Sequence, residues 1–180
     1  PKTARKGNML SSLGMFLAIV ITLFDQHILT YEYIIIGLVV GSAIGTVMAV
    51  KVQMTGMPQM VGLLNGFGGG ASALVALSEY YKSDSSDVAI LITLVLSILI
   101  GAVTFTGSFI AFGKLQGFVT GKVVKYPLQN PINVLLLLAV VAAGVVFIID
   151  PSRVDILLGI LSVSLLLGVL LVLPIGGADM

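Results

Sequence analysis

Six runs of this chain, residues 9–24, 33–50, 57–77, 88–112, 132–149 and 156–173, contain no Asp, Glu, Lys, Arg or His. All nine Lys and Arg and all eight Asp and Glu of the 180 residues fall between or beyond these runs. A charge at the centre of a bilayer costs at least ~2.5–3.5 kcal/mol on insertion scales, so such segregation marks a polytopic membrane protein. The hydrocarbon core needs about 20 helical residues, with a working range of ~17–25. The run from 88 can extend to 115 as a tilted helix. A β-barrel is excluded because its strands alternate apolar and polar residues, whereas these runs are continuous. The expected fold is all-α, a bundle of six transmembrane helices spanning about 9–24, 33–50, 57–77, 88–115, 132–149 and 156–173.

The connections orient the bundle. With the amino terminus in the cytoplasm, the inner segments carry Lys2, Arg5, Lys6, Lys51, Lys114, Lys122 and Lys125, and the outer ones only Lys82 and Arg153. By the positive-inside rule both ends are cytoplasmic. Asp25, Glu32, Glu79, Asp84, Asp87, Asp150 and Asp155 fall on the outer side, and Asp179 on the inner. Tyr31, Tyr33, Tyr80 and Tyr81 gather at the outer boundary, where amphipathic rings prefer to lie. Residues 113–131, basic and containing Pro127 and Pro131, read as an exposed cytoplasmic loop. Pro1 and the Gly-Gly-Ala-Asp-Met end read as cuts in a longer protein.

Composition closes several routes. There is no cysteine, so disulfides and thiolate metal sites are excluded. A net charge of +1 gives no reason to expect nucleic acid. No carboxylate pair, metal cluster, nucleophile–base pair or Walker loop is present, so no catalytic centre is expected within the chain. His27, the single histidine, lies beside Asp25 in an outer loop and reads as a solvated side chain.

Three patterns stand out in the spans. Gly37, Gly41 and Gly45 form a tandem G-x-x-x-G on one face of the second helix, a packing pattern in lipid. The run Asn65-Gly66-Phe67-Gly68-Gly69-Gly70-Ala71 fits G-x-G-x-x-A by letter only. The dinucleotide fingerprint needs a preceding strand and a soluble helix, and here the glycines sit mid-span. Gly68 and Gly69 are better read as a weakened helix permitting a kink or a close crossing. Asn65 is the only strongly polar residue well inside a span, roughly 12 Å from its inner end. Its amide either bonds to another helix or holds water on a polar path; it cannot itself carry a proton. On the fourth helix Ser97, Gly101, Thr104 and Ser108 make a small, faintly polar stripe on one face. Those hydroxyls either satisfy their own i−4 carbonyls or face the same wet interior as Asn65. From composition alone, a free-standing transporter or channel for a small neutral solute is an alternative function.

The segment Gly101-Ala-Val-Thr-Phe-Thr-Gly-Ser-Phe-Ile-Ala-Phe-Gly-Lys-Leu resembles the G-A-V-T-F-T-G-S-x-x-A-F-G-K-L block of proton-translocating NAD(P) transhydrogenases. Residues 45–60 and the closing Ile175-Gly-Gly-Ala-Asp-Met are similar to the membrane domain of their β subunit. The resemblance implies an enzyme complex that couples hydride transfer between NAD(H) and NADP(H) to proton passage. Both cofactors would be bound by soluble domains outside this segment, with the NADP(H)-binding domain following residue 180. Partners would be α-type chains, the setting a bacterial inner membrane, and the assembly a dimer of complexes. Some members carry a proton-carrying His where this chain has Asn65; others place that His on a transmembrane helix of the α side, the arrangement expected here. Asp179 matches an acidic residue at the cytoplasmic face, and Thr104 and Ser108 lie in the shared block. The expected proton path is Asn65, Thr104, Ser108 and Asp179, with Gly37, Gly41, Gly45, Gly68, Gly69 and Gly101 as packing positions.

Overall fold

Every described stretch of apolar sequence is helical. The computed structural model describes residues 3–25, 31–82 and 87–177; His27 and Asp179 therefore lie outside the described residues. Among the described residues there are six α-helices: α1 Ala4–Asp25, α2 Tyr31–Lys51, α3 Met57–Lys82, α4 Val88–Gln116, α5 Gln129–Ile149 and α6 Val154–Val172. All six are long and apolar enough to cross a membrane, and no strand occurs among the described residues. The helices overrun the charge-free runs, because a helix can continue through Lys and Tyr whose polar ends reach the headgroups. The chain is an integral membrane protein.

Residues 1–51 and 52–180 form two separate units. In the first, no described residue of α1 or α2 is buried. A chain apolar on all sides is what lipid selects. The hydroxyls of Ser12 and Thr22 donate to Asn8 O and Ala18 O, at 2.9 and 2.8 Å, and so need no other partner in the membrane.

The second unit is built around α4. It packs along α3 on one side and α6 on the other, and α5 lies mainly against α6. Ile98, Phe147, Leu157, Ile160 and Val140 are all but fully enclosed. A 3₁₀ turn, Met54–Gly56, leads into α3, with Pro58 in its first turn, where a missing N–H is harmless. Asp87 caps α4: its Oδ1 accepts from Ala89 N at 2.9 Å. Gly117 ends α4 with φ +80°, a left-handed conformation that glycine adopts without a Cβ clash.

Both ends of this unit are tied. At the α3–α4 end, Tyr80 Oη donates to Pro151 O at 2.9 Å and its ring lies 5.6 Å from Phe147. At the opposite end most of the connection after α4 is exposed, as its sequence suggests, but Gly113 and Lys114 belong to α4 and are buried. Lys114 is 4% exposed. Its Nζ donates to Leu173 O at 2.6 Å, Ile175 O at 2.7 Å and, more weakly, Val172 O at 3.4 Å. Those carbonyls lie at or just past the end of α6, beyond its regular ladder, and an ammonium also suits the negative end of the helix dipole. The connection is then pinned: Val124 N donates to Leu173 O, Gly177 N to Gly121 O, and Tyr126 Oη to Asn133 Oδ1 at 2.7 Å.

Candidate functional site

The site grows out of the α3–α4 crossing, where glycine replaces side chain by backbone. A Cβ on Gly101 would lie 2.6 Å from Gly69 O and 2.8 Å from Ala73 N. A Cβ on Gly69 would meet Thr104 Cβ at 2.7 Å and Gly101 O at 2.8 Å. In lipid there is no hydrophobic drive between helices, so contact this close is what holds the pair. α3 runs unbroken through its glycines; their use here is the crossing. Nothing lies within 4 Å of the Gly68 Cβ position, so Gly68 takes no part in this contact. One residue is about 100° of helical turn, enough to take Gly68 off the face that Gly69 presents. Gly37, Gly41 and Gly45 likewise meet nothing within 4 Å, so α1 gives their tandem pattern no packing partner within the first unit.

The crossing brings two of the expected path residues together. Asn65 Nδ2 donates to Ser108 Oγ at 2.8 Å, linking residues 43 apart in the chain. Gly66 makes room for this pair: its Cβ position is 3.3 Å from Ser108 Cβ and 3.0 Å from the Phe109 ring. Phe67 and Phe105 flank Phe109 at ring separations of 5.3 and 4.9 Å. Asn65 itself is exposed at the edge of the pair. Thr104 seats its Cβ over Gly69, one helical turn from Ser108. Asn65, Thr104 and Ser108 thus share one flank, while Asp179 lies outside the described residues.

Sequence reasoning passed over several positions. Thr106, two residues from Thr104, turns to the other side of α4, where its hydroxyl is 2.7 Å from Leu165 O of α6. Gly168 admits that contact, since a Cβ there would sit 2.5 Å from Val103 O and collide with Thr106 Oγ1. An isolated glycine in an apolar helix carries no pattern to announce it. Lys114 was legible only as a base at the edge of a span.

The glycines do not form a nucleotide cradle. Gly66 and Ala71 lie within a continuous membrane-spanning helix, and Gly66 is closed off by Phe109. No group of three or more metal-ligating side chains is found among the described residues.

A family model of the NAD(P) transhydrogenase beta subunit matches residues 1–180. Two relatives, both named NAD(P) transhydrogenase subunit beta, come from Rhodospirillum rubrum, one of them from a designated strain. Each is 38% identical over 188 residues, covering 100% of this chain and 40% of the relative. The chain therefore spans about two fifths of the length of those relatives. With the shared block at the α3–α4 crossing and the family match running end to end, this chain belongs to the NAD(P) transhydrogenase beta subunit family.

Proposed function

We propose that this chain is the membrane part of a proton-translocating transhydrogenase, and that protons pass along the flank of α3 and α4 that carries Asn65 and Ser108. The observation that supports this reading most is the 2.8 Å bond between Asn65 and Ser108 in the middle of apolar helices. A polar pair at that depth is costly unless water or a partner meets its remaining lone pairs. Neither side chain titrates near neutral pH. Their role is to hold and orient water, and the titrating group is a His on a transmembrane helix of an α-type partner. Thr104 extends the polar lining, and Asp179 links the cytoplasmic mouth to the soluble domains.

In this reading NAD(H) and NADP(H) are bound by soluble domains of the complete complex, one of them following residue 180 in the β subunit. Hydride moves there, and this chain conducts. The complex is a dimer in a bacterial inner membrane, with both ends of this segment cytoplasmic. Membership of the family disfavours a free-standing solute transporter.

The test is Asn65→Leu in the intact complex, which keeps size and removes both amide functions. Coupled proton transport should fall at least about tenfold, the size of one lost interaction of roughly 1.4 kcal/mol in the rate-limiting state. Unchanged coupled transport would remove Asn65 from the path.

A further inference from the structure

A groove of about 560 Å³ runs between α3 and α4 on the same flank as Asn65, toward the α3–α4 end of the unit. Ser72 and Glu79 line it from α3, and Thr93 and Ser97 from α4. The register explains this. Asn65, Ser72 and Glu79 are spaced by seven, and fourteen residues bring an α-helix back to within about 40° of the starting direction. On α4, residues 93, 97, 101, 104 and 108 follow the four-and-three spacing of one face. The two polar stripes therefore run side by side over the α3–α4 crossing. From Asn65 to Glu79 is about 21 Å of helix at 1.5 Å per residue.

The opposite side of the same crossing is different. There a pocket of about 210 Å³ is lined by residues such as Gly70, Leu77, Phe105 and Leu165, none with a polar side chain. Polarity in the groove is thus a property of one flank. Several of its groups are also unspent. Ser72, Ser97 and Thr104 make no side-chain hydrogen bond to another described residue. Thr93 donates to Ala89 O at 2.5 Å and keeps its lone pairs for an incoming donor. Asp87, the neighbouring carboxylate on α4, is engaged as the helix cap. Glu79 is exposed at the end of the groove.

We propose that the route from the α3–α4 face of the membrane to Asn65 and Ser108 runs along this groove, with Glu79 as the carboxylate that collects the proton at its mouth. The proposal rests on the proton-path reading above, and takes its third wall from the partner helix of that reading. Glu79 accepts a proton from bulk water by forming an O–H bond, then releases it to the first water in the groove. Ser72, Thr93 and Ser97 supply donors and acceptors that order the water chain, and none of them changes protonation state. The chain of waters delivers the proton to the Asn65–Ser108 pair and from there to the titrating group on the partner.

Two measurements on the full-length subunit in its assembled complex, reconstituted in vesicles, test this. The first compares Glu79→Gln with Glu79→Asp. Proton-coupled turnover should drop several-fold in Glu79→Gln and recover most of the way in Glu79→Asp. Equal turnover of Glu79→Gln and the parent overturns the role of Glu79. The second is thiol accessibility from the α3–α4 face with a small charged reagent, the unsubstituted complex being the blank. Ser97→Cys should react at least tenfold faster than Leu96→Cys, which sits at the same depth on an adjacent exposed face. Equal rates overturn the groove as a water path. A loss of coupling in Asn65→Leu with no labelling of Ser97→Cys overturns this route and leaves the role of Asn65 standing. Labelling of Ser97→Cys beside a silent Asn65→Leu overturns the proton-path reading, and with it delivery to Asn65.

Discussion

Two glycine faces in this molecule look alike as sequence and differ as structure. On α2, Gly37, Gly41 and Gly45 repeat every fourth residue, and a Cβ at any of them would meet nothing within 4 Å. On α3 and α4, Gly69 and Gly101 obey no tandem repeat, yet each would drive a Cβ to within 2.8 Å of the other's carbonyl oxygen. The difference shows what a small-residue pattern encodes. It permits close approach, but only a second helix with its own gap at the matching height turns permission into contact. Gly101 is that gap for Gly69. The pairing also has a chemical result, because the approach that Gly69 and Gly101 allow is what brings Asn65 within hydrogen-bonding distance of Ser108.

Gly101→Val should break the comparison most severely. Its branched side chain meets the backbone of α3 at Gly69 O and Ala73 N, and neither can move aside as a side-chain tip could. Overpacking of this kind costs about 1–3 kcal/mol and occasionally more, and contact with backbone puts it at the top of that range. Unfolding of the purified chain in detergent should register a loss of about 3 kcal/mol or more. The Asn65–Ser108 bond should be lost with it. Unfolding indistinguishable from the parent would mean that the crossing is not held by this contact.

A sharper contrast lies within α3. Gly69→Ala places a methyl against Thr104 and the Gly101 carbonyl, while Gly68→Ala, one position away, places it in open space. Alanine also gains up to about 1 kcal/mol of helix propensity over glycine. The two terms oppose at 69, and only helix propensity acts at 68. The expected order of stability is Gly68→Ala above the parent and Gly69→Ala below it, separated by about 1–3 kcal/mol in the same unfolding measurement. Reversal of that order would place the wrong face of α3 against α4.

These particulars show where sequence reading works. The six spans were legible because lipid forbids charge, and a prohibition leaves its mark along a single chain. Asn65 stood out for the same reason. Its partner was half visible, since Ser108 belonged to a polar stripe, but nothing in one helix tells which neighbour it faces. Thr104 and Thr106 make the point. Two residues apart in one motif, they face α3 and α6 respectively, because two residues are about 200° of turn. Lys114 stands at the end of the 88–115 span, where a lysine usually snorkels into water. Here the carbonyls at the end of α6 and just past it take its ammonium instead, and they come from residues 58–61 positions later in the chain. Hydrogen bonds over such separations depend on the fold and leave no local pattern. The groove beside α3 was similarly out of sight until Ser72 and Glu79 of one helix stood opposite Thr93 and Ser97 of the other.

The smallest effect belongs to the open face of α2. Gly41→Ala adds a methyl where no described atom lies within 4 Å, so the overpacking term is absent. What remains is the backbone entropy that alanine removes from the unfolded chain, worth up to about 1 kcal/mol in helix favour. The purified chain should therefore unfold at or slightly above the parent, the opposite sign from Gly69→Ala. A fall of more than about 1 kcal/mol would exceed anything helix propensity can produce and would require atoms against Gly41. In that case α2, like α3, uses its glycines for contact, and the distinction between the two faces collapses.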